Sequence, residues 1–173
     1  FTLGDPDVPT PLPVKEAGCR AIMEGKTRDS QNAGLLELRE AISRRYADKE
    51  RLHYKADGEI IVTVGAMEGL YLALLAILND GDEVIIPAPY YVNYKQMVEL
   101  CHGVPVIVGG DGADKLRCDV KTIAEAVTSR TKAIILNTPC NPTGRVIPKE
   151  DIVQIAETAK ANDLIVITDE VYK

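Results

Sequence analysis

The feature that most constrains the fold is a series of short, continuously apolar runs that alternate with helical patterns. The runs begin near residue 60 and are rich in valine and isoleucine, as expected of strands buried on both faces of a sheet. This alternation predicts an α/β fold, with a mostly parallel sheet and helices on both faces. The predicted strands are Ile60–Val64, Val84–Ile86, Val104–Val108, Ala133–Leu136 and Leu164–Ile167, and the predicted helices among them cover about 66–79, 91–101, 119–128 and 149–161.

The first 50 residues have a different character. Four prolines in residues 1–14 predict an extended arm. Apolar residues at three- and four-residue spacing then predict helices at about 15–24 and 34–48. We therefore predict one part over residues 1–50, a polar transition over 50–58, and a sheet domain over 51–173.

Composition excludes several classes of function. The 26 acidic and 20 basic residues give a net charge of −6, which argues against a nucleic-acid binder. No apolar run approaches the roughly 18 residues of a membrane span. The four cysteines form no C-x-x-C pair and there are only two histidines, so we expect no metal site, no disulfide framework and a reducing, cytoplasmic setting. The chain begins without methionine and stops directly after a strand-like run, and we expect it to be incomplete.

Candidate ligand-binding residues follow the predicted strands, at the edge where parallel sheets bind ligands. Gly65 opens a helix whose N–H groups suit a phosphate, although a plain strand-to-helix turn is the more ordinary explanation of this segment by itself. The tyrosines at 90–94 either stack on a flat ligand or pack under their own loop. The segment 141–144 is typical of a turn. Asp169 needs a partner at the end of a buried run, either a protonated ligand nitrogen or a structural arginine.

Taken together, these segments resemble the fold-type I pyridoxal-phosphate enzymes, specifically the class I/II aminotransferases of the aspartate aminotransferase family. The motifs follow the family order across almost the whole chain. They are Gly4-Asp5-Pro6-Asp7 with Thr10-Pro11, Gly34-x-x-Glu37-Leu38-Arg39-Glu40-Ala41-Ile42, Val62-Thr63-x-Gly65-Ala66, Gly81-Asp82-Glu83-Val84 with Pro87-x-Pro89-Tyr90, Thr131-Lys132-Ala133-Ile134, Asn141-Pro142-Thr143-Gly144 and Asp169-Glu170-Val171-Tyr172.

The resemblance implies a site for pyridoxal 5'-phosphate and a role for each matching residue. Asp169 would pair with the pyridinium nitrogen, which makes the cofactor an electron sink. Gly4 would lie near the substrate carboxylate, with Asn141 as a second substrate contact. The other implied cofactor contacts are Gly65, Ala66 and Met67 for the phosphate, Tyr91 for stacking on the ring, and Asn141 and Tyr172 for the ring hydroxyl.

The implied function is transfer of an amino group between an amino acid and a 2-oxo acid, in amino acid metabolism, by a homodimer. Residues 1–50 would then contribute to a small domain and to dimer contacts, and residues 51–173 to the cofactor-binding large domain. A carbon–sulfur lyase or another β-eliminating relative is an alternative on the same scaffold. A catalytically inactive cofactor-binding or assembly module is an alternative of another class.

The sequence departs from the family pattern at two places. No lysine occupies the position of the residue that forms the Schiff base, so we assign no catalytic residue in this chain and expect that lysine beyond Lys173. Taken alone, the chain would then be inactive. Asp29 stands where many relatives have a tyrosine that reaches the partner subunit's cofactor phosphate, and this puts the cross-subunit contact in doubt. The resemblance also predicts cis peptide bonds at Ala88–Pro89 and Asn141–Pro142.

Overall fold

The computed structural model describes residues 7–109 and 118–173. The chain divides into two compact units, Phe1–Val62 and Thr63–Lys173. The boundary that we predicted at residue 50 falls inside the first unit. Residues 51–62 stay with that unit because the Arg39 side chain donates to the Ala56 carbonyl at 2.6 Å and the Val62 amide donates to the Ala33 carbonyl at 3.0 Å. The assignment of these parts to a small domain and a cofactor-binding domain stays a prediction.

The first unit contains two helices, as predicted, with shifted ends. Helix α1 is Leu12–Met23 and helix α2 is Leu36–Glu50. The extended arm that we predicted over residues 1–14 is therefore wrong at its end, where the chain is already helical from Leu12. Pro13 is compatible with this because the N–H groups of the first helical turn have no intrahelical partner to lose. Residues 1–6 of the predicted arm, including Gly4, lie outside the described residues.

Arg39 is the one buried residue of α2 and organises the surrounding loops. Its guanidinium donates to the Gly34 carbonyl at 3.2 Å, to the Ala56 carbonyl at 2.6 Å and to Gln31 Oε1 at 2.8 Å. Gly34 has a φ of +90°, and a Cβ there would come within 2.6 Å of Val62 Cβ. Only glycine fits this position without displacing the Val62 backbone or side chain.

The run Ile60–Val64, predicted as the first strand, forms no strand. Within the described residues it pairs with no other strand, and Ile61 and Val64 are 66% and 87% exposed. A β-branched sequence favours a strand mainly through packing against cross-strand neighbours, and this run has none here.

In its described residues the second unit is built around four parallel strands, and the predicted fold class is confirmed. The other four predicted strands are present, and the sheet order is β2-β1-β3-β4. The elements are α3 Gly65–Ile77, β1 Glu83–Pro87, α4 Asn93–Leu100, β2 Val104–Val108, α5 Val120–Glu125, β3 Thr131–Asn137, α6 Lys149–Ala161 and β4 Ile165–Asp169.

Alternate residues of the central strands enter two separate hydrophobic cores. Val84 and Ile86 of β1 pack in one core with residues of α3 and α4. Ile85, between them, packs in the other core with residues of α5 and α6. Successive strand side chains point to opposite faces, so this division shows helices covering both faces of the sheet. Both faces are apolar, which explains why the strand runs are continuous and do not alternate with polar residues.

Glu83 lies at the amino end of β1, opposite to the carboxyl edge of the sheet. Its side chain is buried and accepts from Arg130 Nε at 3.0 Å and Arg130 Nη2 at 2.7 Å. The Thr128 hydroxyl donates to the other carboxylate oxygen. This hydrogen bond and the Arg130 charge lower the pKa of Glu83 despite the opposing effect of burial. The carboxylate therefore joins the start of β1 to the turn before β3.

None of the helices in the described ranges has the length and apolarity required to cross a bilayer. Over the same ranges, no three histidine, cysteine or acidic side chains cluster as metal ligands would. The four cysteines are free thiols.

Candidate active site

The carboxyl ends of β3 and β4 lie side by side. Asn137 ends β3 and pairs in register with Asp169, which ends β4. The buried Asn137 side chain donates from Nδ2 to the Asp169 carbonyl oxygen at 3.2 Å, and its Oδ1 accepts from the Asn141 amide at 2.6 Å. One side chain therefore fixes the end of β4 relative to the loop that follows β3.

Both oxygens of the Asp169 carboxylate are held by donors from this chain. Oδ2 accepts from the Tyr94 hydroxyl at 2.6 Å, and Oδ1 accepts from the Val171 amide at 3.1 Å. Tyr94 is 1% exposed, and this burial is the main cause that raises its pKa far above the ordinary value. The hydrogen bond to Asp169 and the charge of that carboxylate raise it further. The Tyr94 hydroxyl is thus a permanent donor at neutral pH, and it orients the carboxylate.

A second tyrosine and an asparagine extend this cluster toward α3. The Tyr91 ring meets the Tyr94 ring edge to face, with centroids 5.6 Å apart and planes at 75°. Asn93 Nδ2 donates to Tyr91 Oη at 3.0 Å and to Met67 Sδ at 3.8 Å. Met67 is the third residue of α3. Contacts therefore run without a gap from the start of α3 to Asp169.

The start of α3 has the geometry of an anion-binding turn. Gly65 has a φ of +76°, and its amide donates to the Thr63 carbonyl at 2.9 Å. The Thr63 hydroxyl donates to the Gly65 carbonyl at 2.8 Å, and the Glu68 carboxylate accepts from the Val64 amide. The amides of Ala66 and Met67 have no partner among the described residues, as expected in a first helical turn. A helix start with free amides and a positive dipole end suits a phosphate.

The loop after β3 places the Asn141 side chain beside that of Tyr172. Asn141 Nδ2 donates to Tyr172 Oη at 3.1 Å. The Gly144 amide donates to the Cys140 carbonyl at 2.7 Å, which closes the turn over 141–144 that the sequence indicates. The bonds Ala88–Pro89 and Asn141–Pro142 are cis, which confirms that prediction, and Thr138–Pro139 is cis as well.

Comparison with known proteins identifies the family. The chain matches the model for Aminotransferase class I and II over residues 1–173. It is 42% identical over 173 residues to a probable aspartate/prephenate aminotransferase of Aquifex aeolicus, covering 100% of this chain and 44% of that protein. Aspartate aminotransferase from Thermus thermophilus, solved with maleate, superposes with a TM-score of 0.94 at 42% identity, over 99% of this chain and 44% of that one. An aromatic aminotransferase from Pyrococcus horikoshii superposes with a TM-score of 0.92 at 42% identity, over 97% of this chain and 45% of that one.

The chain belongs to the class I and II aminotransferase family. It spans less than half the length of each of these three relatives. The family resemblance noted in the sequence is thereby confirmed, and the four-stranded parallel sheet is the corresponding part of the aminotransferase fold.

The structure brings together the residues that the aminotransferase resemblance singled out, so far as it describes them. Met67, Tyr91 and Asp169 belong to one continuous set of contacts, and Asn141 joins this set through Asn137. Tyr172 joins through Asn141, and Gly65 and Ala66 directly precede Met67. Asp29, in the first unit, is exposed. The roles of these residues, and that of Gly4 outside the described residues, stay predictions.

Three members of this cluster were not predicted from the aminotransferase motifs: Asn93, Tyr94 and Asn137. Tyr94 follows Tyr91 by three residues, so a helix starting near residue 91 places both rings on one face, and this spacing was a usable signal. Asn137 is a polar residue at the end of an apolar strand, like Asp169, and the same reasoning would have selected it. Nothing in the sequence indicates the partners of Asn93.

A cavity of about 180 Å³ lies beside the cluster. Its lining combines apolar residues such as Ile123 and Ile155 with polar ones. The polar residues include Tyr94, Asn137, Arg145 and Asp151. Neither Tyr91, nor Asp169, nor the start of α3 reaches it. This cavity is therefore distinct from the anion-binding turn.

Proposed function

We propose that this chain is the N-terminal and central part of a pyridoxal-phosphate-dependent aminotransferase. The observation that carries the proposal is the Asp169 carboxylate, fixed by Tyr94 and Val171 at the carboxyl end of the sheet. A partly buried carboxylate with an oriented charge at that edge suits a protonated ring nitrogen. No structural arginine contacts the Asp169 carboxylate among the described residues, so the alternative explanation for it loses support.

The residues present fit the cofactor at each of its functional groups. The free amides of Ala66 and Met67 would hold the phosphate at the start of α3, and the partly buried Tyr91 ring would stack on the pyridine. The side chains of Asn141 and Tyr172 would hydrogen-bond the ring hydroxyl. Asn141 Nδ2 and Tyr172 Oη are 3.1 Å apart. When bound, pyridoxal phosphate stabilises the carbanion formed as an amino acid loses its α-proton.

Asp169 has the central task in this arrangement. Its negative charge would keep the ring nitrogen protonated, because an opposite charge nearby favours the charged form of a base. The Tyr94 and Val171 donors hold the carboxylate in one orientation, so no reorganisation is required when charge develops. Tyr94 stays neutral at working pH and adds no competing charge.

The substrates that we propose are an amino acid and a 2-oxo acid, with Gly4 and Asn141 near the substrate carboxylate. The similar proteins are named for transfer to or from aspartate, prephenate or aromatic substrates. These names share transamination and differ in the side chain, so they support amino-group transfer and not a carbon–sulfur lyase.

The remaining expectations concern the complete polypeptide. We propose that it is a cytoplasmic homodimer and that its catalytic lysine follows Lys173 in the sequence. The free thiols of all four cysteines support a reducing compartment. The exposed carboxylate of Asp29 would repel a phosphate, so we propose that the partner subunit's phosphate contact is absent or is made by another residue.

The test is to replace Asp169 in the complete polypeptide and measure single-turnover rates with an amino-acid donor. We expect Asp169→Ala to lower the rate by about 100-fold or more, since such a loss is typical when a positioned charge-stabilising group is removed. Asp169→Glu keeps the charge and should lose much less. Glu170→Ala is the matched control, because among the described residues that neighbouring carboxylate pairs with Lys173 at 3.0 Å and contacts no residue of the proposed site.

Near-wild-type rates for Asp169→Ala would show that Asp169 is a structural carboxylate and that the proposed site is wrong. An inactive wild-type protein that binds pyridoxal phosphate, with no borohydride-reducible link to a lysine, would instead favour the cofactor-binding or assembly module.

A further inference from the structure

Asn93 connects two parts of the proposed site that are otherwise separate in the chain. It is the first residue of α4, whereas Met67 belongs to the first turn of α3. The Asn93 amide nitrogen donates to Met67 Sδ at 3.8 Å and to Tyr91 Oη at 3.0 Å. An asparagine NH₂ group has two hydrogens, so these two bonds use its whole donor capacity and fix the plane of the amide.

These contacts are not explained by the stability of α4. Asparagine at a helix start commonly caps the backbone, but the cap position of α4 is Val92 and no side-chain cap is formed. Both hydrogen bonds of the Asn93 amide reach outside the helix, to the side chains of Tyr91 and Met67. The proposed function gives both residues a cofactor contact, Tyr91 through its ring and Met67 through its backbone amide. A residue needed only for helix initiation would have no reason to contact either of them.

The hydrogen bond to Tyr91 determines how that ring is held. Tyr91 is only partly buried, and its ring meets the Tyr94 ring edge to face, with 5.6 Å between centroids. An edge contact alone permits rotation of the ring, because aromatic pairs tolerate a broad range of geometries. The Asn93 donor anchors the far end of the side chain at its hydroxyl, so the ring is held at two points.

We propose that Asn93 is a positioning residue that sets the orientation of the Tyr91 ring and couples it to the phosphate-binding start of α3. The proposal rests on the proposed function, in which Tyr91 stacks on the pyridine and Met67 contributes an amide to the phosphate. It assigns to Asn93 no direct contact with cofactor or substrate. Its effect is to keep the stacking surface and the anion-binding turn in the correct mutual arrangement before the cofactor arrives.

The experiment is a double-mutant cycle on the complete polypeptide, with pyridoxal phosphate as the probe and its dissociation constant as the readout. Asn93→Ala removes the donor, and Tyr91→Phe removes the acceptor but keeps the ring. Loss of one neutral hydrogen bond corresponds to about a three- to tenfold weaker affinity, so each variant should weaken binding by that factor. The double variant should bind no more weakly than Asn93→Ala alone, because the Asn93–Tyr91 bond that Tyr91→Phe removes is already lost in Asn93→Ala.

Two further variants separate positioning from general damage. Met67→Leu keeps the side-chain volume and removes the sulfur. It should lose less affinity for pyridoxal phosphate than Asn93→Ala does, since sulfur is a weak acceptor. Tyr91→Ala removes the stacking ring itself and should weaken pyridoxal-phosphate binding more than any other single variant. The visible circular dichroism of the bound chromophore should change in Asn93→Ala, whereas the far-ultraviolet spectrum of the protein should not.

Crystal structures of the cofactor-free wild type and Asn93→Ala give a readout that does not depend on binding. We expect Tyr91 to leave its position or adopt two orientations in the variant, while Tyr94 stays bound to Asp169. Three results would each overturn the role of Asn93 and leave the proposed function standing. They are losses of affinity that multiply in the double variant, an unchanged affinity in Asn93→Ala, and a Tyr91 ring that does not move in the variant crystal. A wild-type protein that does not bind pyridoxal phosphate would refute the proposed function, and the crystal structures would still decide whether Asn93 holds Tyr91.

Discussion

Replacing Tyr94 with phenylalanine removes a single hydroxyl from the centre of the site and keeps the ring. That hydroxyl donates to Asp169 Oδ2 at 2.6 Å, and Tyr94 is 1% exposed. A hydrogen bond to a charged group contributes about 1.5–3 kcal/mol. We therefore expect Tyr94→Phe to lower the free energy of unfolding by about 1.5–3 kcal/mol, since Asp169 loses one of its two donors.

The assay is urea unfolding of the complete polypeptide at neutral pH. Tyr71→Phe is the matched control, because Tyr71 also packs against the α3–α4 core but its hydroxyl has no hydrogen-bond partner in the described part of the chain. It should change the free energy of unfolding by less than about 0.5 kcal/mol. A cycle with Asp169→Asn should give a coupling energy of about 1–2 kcal/mol between Tyr94 and Asp169. A Tyr94→Phe loss equal to that of Tyr71→Phe, or a coupling near zero, would refute the reasoning.

The pH dependence of the same difference provides a second check. The pKa of Tyr94 is higher in the folded protein than in the unfolded chain, mainly because of burial. Such a group contributes its full stability below the unfolded pKa of about 10, and that contribution is lost as pH rises above this value. The stability difference between wild type and Tyr94→Phe should therefore be constant around neutrality and shrink only above about pH 10.

Three further outcomes follow from individual contacts. Glu83→Gln should lower the free energy of unfolding at pH 7 by about 1–3 kcal/mol. Because its pKa is lowered by folding, this difference should disappear as pH falls through the acid range in urea titrations, and a pH-independent difference would contradict it. Gly34→Ala should cost about 2 kcal/mol or more in thermal unfolding, since its Cβ would lie 2.6 Å from Val62 Cβ, whereas Gly25→Ala has no atom within 4 Å and should cost about 1 kcal/mol from its positive φ alone. Glu68→Gln keeps an acceptor for the backbone and removes a charge beside the anion-binding turn, so pyridoxal phosphate should bind about two- to fourfold more tightly in titrations, and unchanged binding would count against the turn as the phosphate site.

The sequence was sufficient to predict the strands whose apolar residues are buried on both faces of the sheet. The runs that became β1 and β3 lie between helices on both faces, so continuous apolarity was a reliable indication of them. Ile60–Val64 has the same composition but no strand beside it among the described residues, and two of its side chains, Ile61 and Val64, are exposed. Strand formation depends on a partner elsewhere in the chain, and a local pattern does not contain that information.

The same limit applies to the site. The sequence correctly placed polar residues at strand ends, because parallel strands bring their carboxyl ends to one edge. It did not give the strand order, in which β4 lies beside β3 and β1 lies on the other side of β3. That order makes Asn137 and Asp169 direct neighbours across 32 residues, and it brings Tyr94 to Asp169 across 75. A carboxylate identified from sequence was therefore only a candidate. The chemistry that we propose for Asp169 depends on two donors that tertiary packing brings to it. Tyr94 was only one of several candidate tyrosines in the sequence and had no role in the family motifs, so its replacement tests the part of the site that the sequence did not give.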